Sequence, residues 1–172
     1  MSRLRSWGMI RTSRRKVGVA GFLTLLVALL PFAAAGTAQA LPALTPHGHV
    51  YNGDSPRCLD SGTTKGALLF NCSTSIYQYW VYNRSDEIVG NSPTGCLDDG
   101  AGLNGSRVFL TACTGSASQK WIGDGDGGTF VNAASGKCLG ADLGTIGEQG
   151  TIVQVWSCGG GSNQNWTFEF LS

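Results

Sequence analysis

The stretch Ser162-Asn163-Gln164-Asn165-Trp166-Thr167-Phe168 reads by itself as a polar turn entering an aromatic strand. Two earlier segments repeat its spacing: Gln78 stands two residues before Trp80, and Gln119 two residues before Trp121. Outward from each Gln the register continues. A Cys lies six residues upstream every time, at Cys72, Cys113 and Cys158. Farther back stands a Cys-Leu pair, Cys58-Leu59, Cys96-Leu97 and Cys138-Leu139, and eight residues before each first Cys an apolar residue, Val50, Ile88 or Phe130. The three Trp are 41 and 45 residues apart. A unit of about forty residues repeated in this way cannot bury a core alone and must be completed by its copies.

Within each unit the segments are short, β-branched or aromatic, and bounded by Gly, Ser, Asn and Asp, which is strand and turn chemistry. The run Thr151–Cys158 alternates most clearly, with Val153 and Val155 on one face and Gln154 and Trp156 on the other. No amphipathic helical run follows residue 40, and the 22 Gly beyond it disfavour helix interiors. An all-β chain is expected. Three all-β units can close as a threefold barrel or a three-bladed propeller; propellers use four blades or more, so the barrel is the expectation.

The first forty residues read differently. A basic head containing Arg3, Arg5, Arg11, Arg14, Arg15 and Lys16 precedes an apolar run that Pro31 interrupts, and Ala38-Gln39-Ala40 supplies a small-residue cleavage site. This pattern predicts a secretory signal over residues 1–40, with a short leader at 41–45 and repeats at about 46–86, 87–127 and 128–172. Cleavage removes six of the twelve basic residues and none of the eleven acidic ones, leaving a net charge near −5. A net-acidic domain without a basic stripe gives no electrostatic reason to bind nucleic acid or an anionic membrane. All six Cys lie beyond residue 40 with no Cys-x-x-Cys pair, which in an exported chain points to disulfides rather than to zinc or a redox centre.

The threefold Cys-Leu, second Cys and Gln-x-Trp pattern, with Asp60 and Asp98 following the first two Cys-Leu pairs, resembles the ricin B-type lectin family, over about residues 46 to 172. The resemblance implies a β-trefoil and one disulfide per repeat: Cys58 with Cys72, Cys96 with Cys113, Cys138 with Cys158. It further implies that Trp80, Trp121 and Trp166 fill the shared core, while Gln78, Gln119 and Gln164 face outer sugar pockets.

A neutral sugar needs a carboxylate and amides for its hydroxyls and a flat aromatic for its C–H face. In the family these are an Asp two residues after the first Cys, an aromatic two before the second, and Asn-Gln leading Gln-x-Trp. The first repeat has Asp60, Phe70 and Gln78, but Tyr77 replaces the Asn. The second has Asp98 and Gln119, with Thr111 where the aromatic belongs and Ser118 for the Asn. The third has Gln154, Trp156, Asn163 and Gln164, but Gly140 at the Asp position; Asp142, two residues on, is the candidate substitute. The expected partner is a glycan, a galactose-type sugar or a plant or cell-wall polysaccharide, bound by a monomer without cofactor or metal.

Other constellations are weaker. Asp124 and Asp126 have calcium-loop spacing but no closing Glu, so a tight turn is the expectation. His47 and His49 are expected to be solvated. The only two His stand at the N-terminal leader, and there is no Gly-x-Ser-x-Gly elbow, phosphate loop or metal quartet, so a non-catalytic protein is expected. The alternative function is a secreted protein-binding or protease-inhibiting trefoil with relic sugar sites.

Overall fold

Frequent turns between short β-branched stretches produce fourteen strands and three single-turn 3-10 segments among the residues described by the computed structural model, 47–62, 64–123 and 125–171. The first repeat contributes β1 (Gly48–Asn52), β2 (Ser55–Asp60), β3 (Leu68–Asn71) and β4 (Trp80–Tyr82). The second contributes β5 (Ile88–Asn91), β6 (Thr94–Asp98), β7 (Ser106–Arg107), β8 (Phe109–Thr111) and β9 (Trp121–Ile122). The third contributes β10 (Asp126–Gly128), β11 (Val131–Asn132), β12 (Cys138–Ala141), β13 (Thr151–Trp156) and β14 (Trp166–Phe170). Each Gln of Gln-x-Trp closes a 3-10 turn: Ile76–Gln78, Ala117–Gln119 and Ser162–Gln164. The expected signal segment and Asp124 lie outside the described residues.

The repeat is geometric as well as sequential. Antiparallel pairing sets Cys58 opposite Phe70 between β2 and β3, Cys96 opposite Thr111 between β6 and β8, and Cys138 opposite Trp156 between β12 and β13. The first Cys therefore faces the residue two before the second Cys in all three hairpins, and the disulfides Cys58–Cys72, Cys96–Cys113 and Cys138–Cys158 close them with Cα–Cα distances of 5.0, 5.0 and 5.1 Å.

Trp80, Trp121 and Trp166 are fully buried together with Leu59, Leu97 and Leu139 and with Val50, Ile88 and Phe130. Each indole N–H donates to the carbonyl of the Leu after its own repeat's first Cys: Trp80 to Leu59 at 2.8 Å, Trp121 to Leu97 at 2.8 Å, Trp166 to Leu139 at 2.9 Å. A buried Trp needs a partner for its one donor, and the Cys-Leu strand supplies it three times. Thus the two sequence marks of each repeat meet in one hydrogen bond.

Closure comes from joining the ends of the trefoil. β1 pairs with β14 from Gly48 opposite Phe170 to Asn52 opposite Trp166, and also with β2 and β4. Between repeats, β3 pairs with β13 and β13 with β7. These contacts make the all-β chain a β-trefoil. One expectation is corrected here: His49 is buried rather than solvated, because β1 is wall, not loose leader. Its ring stacks on Tyr79 with centroids 5.6 Å apart, and its Nε2 has no hydrogen-bond partner among the described residues.

Candidate functional site

Alternation along β13 buries Thr151, Val153 and Val155 and turns Gln154 and Trp156 outward, leaving Trp156 47% exposed. A concave surface of about 330 Å³ lies beside it, walled by Asp142, Leu143, Gln154, Trp156, Asn163 and Gln164 with several backbone segments between them. Gln154 stands opposite Gly140 in the β12–β13 register, and its Nε2 donates to Asp142 Oδ1 at 3.4 Å. The loop after β12 thus brings the Asp142 carboxylate to the Gln154 amide. That loop is well tied: the Thr145 hydroxyl donates to Asp142 Oδ2 at 3.0 Å, and the Asp142 N–H to the Ile152 carbonyl at 2.8 Å. Across the cavity the Asn163 amide donates to the Ala141 carbonyl at 2.9 Å. Its Oδ1 lies over Gly161, where a Cβ would stand only 2.6 Å away. A carboxylate with unused lone pairs, two amides and an exposed indole therefore share one shallow cavity, the donor and acceptor set plus flat apolar face that a pyranose requires.

The first repeat is arranged otherwise. Asp60 is 8% exposed; its Oδ1 accepts from the Gly62 N–H at 2.8 Å and its Oδ2 from Gln78 Nε2 at 3.1 Å. Tyr77, standing where an Asn was expected, lays its ring over Gly62: a Cβ there would be 3.0 Å from both Tyr77 Cγ and Asp60 Oδ1. Leu68, opposite Asp60, is buried. Asp60 and Gln78 do come together, but as an interior pair, with Phe70 half-buried against Gly150.

In the second repeat Asp98 is half-exposed, its Oδ1 accepting from the Gly100 N–H at 3.0 Å and its Oδ2 from the hydroxyls of Thr111 at 3.4 Å and Ser118 at 3.2 Å. Directly opposite Asp98 stands Phe109, 39% exposed. Sequence reasoning missed it because it looked for an aromatic only two residues before Cys113; Phe109 is four before, and period-2 alternation puts both positions on one face.

The outward placement of the three Gln is corrected. Gln78, Gln119 and Gln164 are 2%, 1% and 4% exposed. Each clasps the backbone around its second Cys. Oε1 accepts from the N–H of Ser73, Thr114 or Gly159 at 2.8 to 2.9 Å, and Nε2 donates to the carbonyl of Asn71, Ala112 or Ser157 at 2.9 to 3.1 Å. A primary amide suits this place because it carries a donor and an acceptor side by side, whereas a buried polar group left unpaired is costly. Gln164 still forms part of the cavity wall.

Asp99, which sequence reasoning did not single out, is 2% exposed, and its buried Oδ2 has no hydrogen-bond partner among the described residues. It borders a second hollow of about 270 Å³ with Gly100, Ala101, Gly102, Ser118 and Ser135. Burial raises its carboxyl above the ordinary aspartate range; the Ser135 hydroxyl opposes this, and the neighbouring Asp98 charge adds a smaller push upward.

Comparison with known proteins follows the same lines. Residues 46–166 match the model of the ricin-type β-trefoil lectin domain. Among solved structures, the designed threefold-symmetric protein ThreeFoil is similar at a TM-score of 0.65 and 24% identity, over 73% of this chain and 99% of that one. The hemolytic lectin CEL-III is similar at 0.60 and 27% identity, over 76% of this chain, which spans only 32% of that protein. The C-half of an earthworm R-type lectin, solved with GalNAc, is similar at 0.62 and 14% identity, over 73% of this chain and 99% of that one. No curated protein matches the chain significantly.

Proposed function

Because the chain belongs to the ricin-type β-trefoil lectin family, we propose that it is a secreted, non-catalytic lectin whose third repeat takes a neutral sugar. The observation that carries this is the exposed Trp156 beside Asp142 and Asn163 in one cavity. The indole covers the C–H face of the ring, as aromatic platforms do, while Asp142 and the amides take vicinal hydroxyls. A galactose-type sugar is the first probe, since the earthworm lectin half of the same fold was solved with GalNAc.

Secretion is supported by the signal pattern over residues 1–40 and by three disulfides, which persist in oxidising compartments. The non-catalytic reading is supported by the engagement of every Cys in a disulfide, which removes thiol nucleophiles, and by a buried His49 held against Tyr79 rather than beside a nucleophile. The protein acts as a monomer, each molecule carrying its own site.

The test is a neutral-glycan array followed by titration with GalNAc at low and high salt. Saturable binding that free sugar competes and salt leaves nearly unchanged is expected, because no ionic contact is screened. Binding lost at moderate salt and indifferent to free sugar would refute the proposal.

A further inference from the structure

The third-repeat cavity is lined by third-repeat residues, but the strand end that carries its platform is held from the second repeat. The loop between β6 and β7 in the second repeat reaches across to the end of β13, where the Gly105 N–H donates to the Val155 carbonyl at 3.0 Å. Asn104 Oδ1 accepts from both the Ser157 N–H at 2.9 Å and the Ser157 hydroxyl at 3.1 Å. Between these two anchors the edge of the Trp156 indole rests against the Gly105 backbone: a Cβ on Gly105 would lie 3.5 Å from the ring, and φ is +85°.

The same device recurs at another joint. The Gly150 N–H donates to the Leu69 carbonyl at 2.8 Å, Gln149 Oε1 accepts from the Asn71 N–H at 3.1 Å, and the Phe70 ring packs on Gly150, whose φ is +84°. Leu69, Phe70 and Asn71 are the counterparts of Val155, Trp156 and Ser157, counted back from the second Cys. An amide followed by Gly thus meets each of the two repeats that carry an aromatic two residues before that Cys.

From these contacts we infer that Asn104 is a positioning residue for the Trp156 platform, so that sugar affinity in the third repeat depends on a side chain of the second. The inference rests on the third-repeat cavity being the sugar site. Asn104 touches no sugar; it fixes the chain segment on which the indole sits and limits the directions in which the ring can tilt. A rigid platform loses less freedom when a pyranose stacks on it.

The experiment compares the full chain with Asn104→Ala, Asn104→Asp and Trp156→Ala. Two readouts are taken, 15N relaxation of the Trp156 indole N–H and titration with GalNAc. Asn104→Ala should raise the fast motion of the indole and weaken GalNAc about three- to tenfold, the range that loss of one or two modest hydrogen bonds gives. Asn104→Asp keeps the acceptor and should restore both. Unchanged indole motion in Asn104→Ala overturns the inference whatever GalNAc does. So does wild-type GalNAc affinity in Asn104→Ala when Trp156→Ala has lost it. If Trp156→Ala binds GalNAc like wild type, the sugar site fails instead, and the relaxation data still decide whether Asn104 holds the ring.

Discussion

Two tryptophans ten residues apart illustrate how burial separates roles that composition cannot. Trp166 is fully enclosed and donates to Leu139, whereas Trp156 is 47% exposed. Trp166→Ala should cost on the order of 3 to 5 kcal/mol, enough to unfold a marginal domain. Trp156→Ala should leave the thermal midpoint nearly unchanged and reduce sugar affinity by about 1 to 3 kcal/mol, as loss of other aromatic stacking contacts does. Thermal melts and glycan titrations of both variants check this pair. Asp99 makes a pH-dependent case, best seen against its counterpart Ser61. Both follow Cys-Leu-Asp, and both donate their N–H to the equivalent carbonyl, Ser61 to Tyr77 at 3.0 Å and Asp99 to Ser118 at 3.1 Å. The Ser61 hydroxyl also donates to the carbonyls of Tyr77 and Ser92, a role an ionised carboxylate cannot fill. Because the folded state raises the Asp99 carboxyl, folding favours its protonated form. Its contribution is fully present below the unfolded value of about 3.9 and is lost as pH rises through the higher folded one. Asp99→Ser should therefore melt above wild type at pH 8, with a difference that shrinks as pH approaches 4. A difference independent of pH would contradict the assignment.

At the scale of the element, each 3-10 turn works as a clasp whose tooth is the Gln. It ties together the residues on either side of a disulfide, so the hairpin end, the Cys and the Trp strand are held as one piece. Gln119→Ala should leave the Thr114 N–H and the Ala112 carbonyl without their partner and destabilise the protein by about 1 to 3 kcal/mol, read as a lower denaturant midpoint with an unchanged m-value. Gln119→Glu keeps the acceptor for Thr114 but turns the donor toward Ala112 and Thr111 into an acceptor. It should be at least as damaging at neutral pH, because it also places a charge in a site that is 1% exposed. The fixed six-residue step from Cys to Gln is the length that this clasp requires.

For the whole molecule the decisive fact is that closure is cyclic. β14 returns to β1, and loops from one repeat seat on strands of another, so no repeat completes its own wall. The disulfide Cys96–Cys113 closes a separation of 17 residues, and replacing both Cys with Ser should cost about 3 kcal/mol in the chain-entropy account. The thermal midpoint should fall by on the order of 10 °C. Much of this architecture was legible beforehand, since the Gln-x-Trp, Cys-Leu and apolar positions are local marks of an obligatory core and core positions tolerate few residue types. The burial of Trp80, Trp121 and Trp166 is what the family resemblance implied, and the outward side of Trp156 followed from alternation along Thr151–Cys158. What each polar group does was not legible in the same way, because that depends on neighbours distant in sequence. Tyr77 folds over Gly62 beside a buried Asp60, Asp142 reaches Gln154 twelve residues away, and Asn104 meets Ser157 fifty-three residues away. Periodicity specifies which face a side chain takes; only the tertiary structure decides which distant neighbour meets it there, and with it the difference between a filled hairpin and an open cavity.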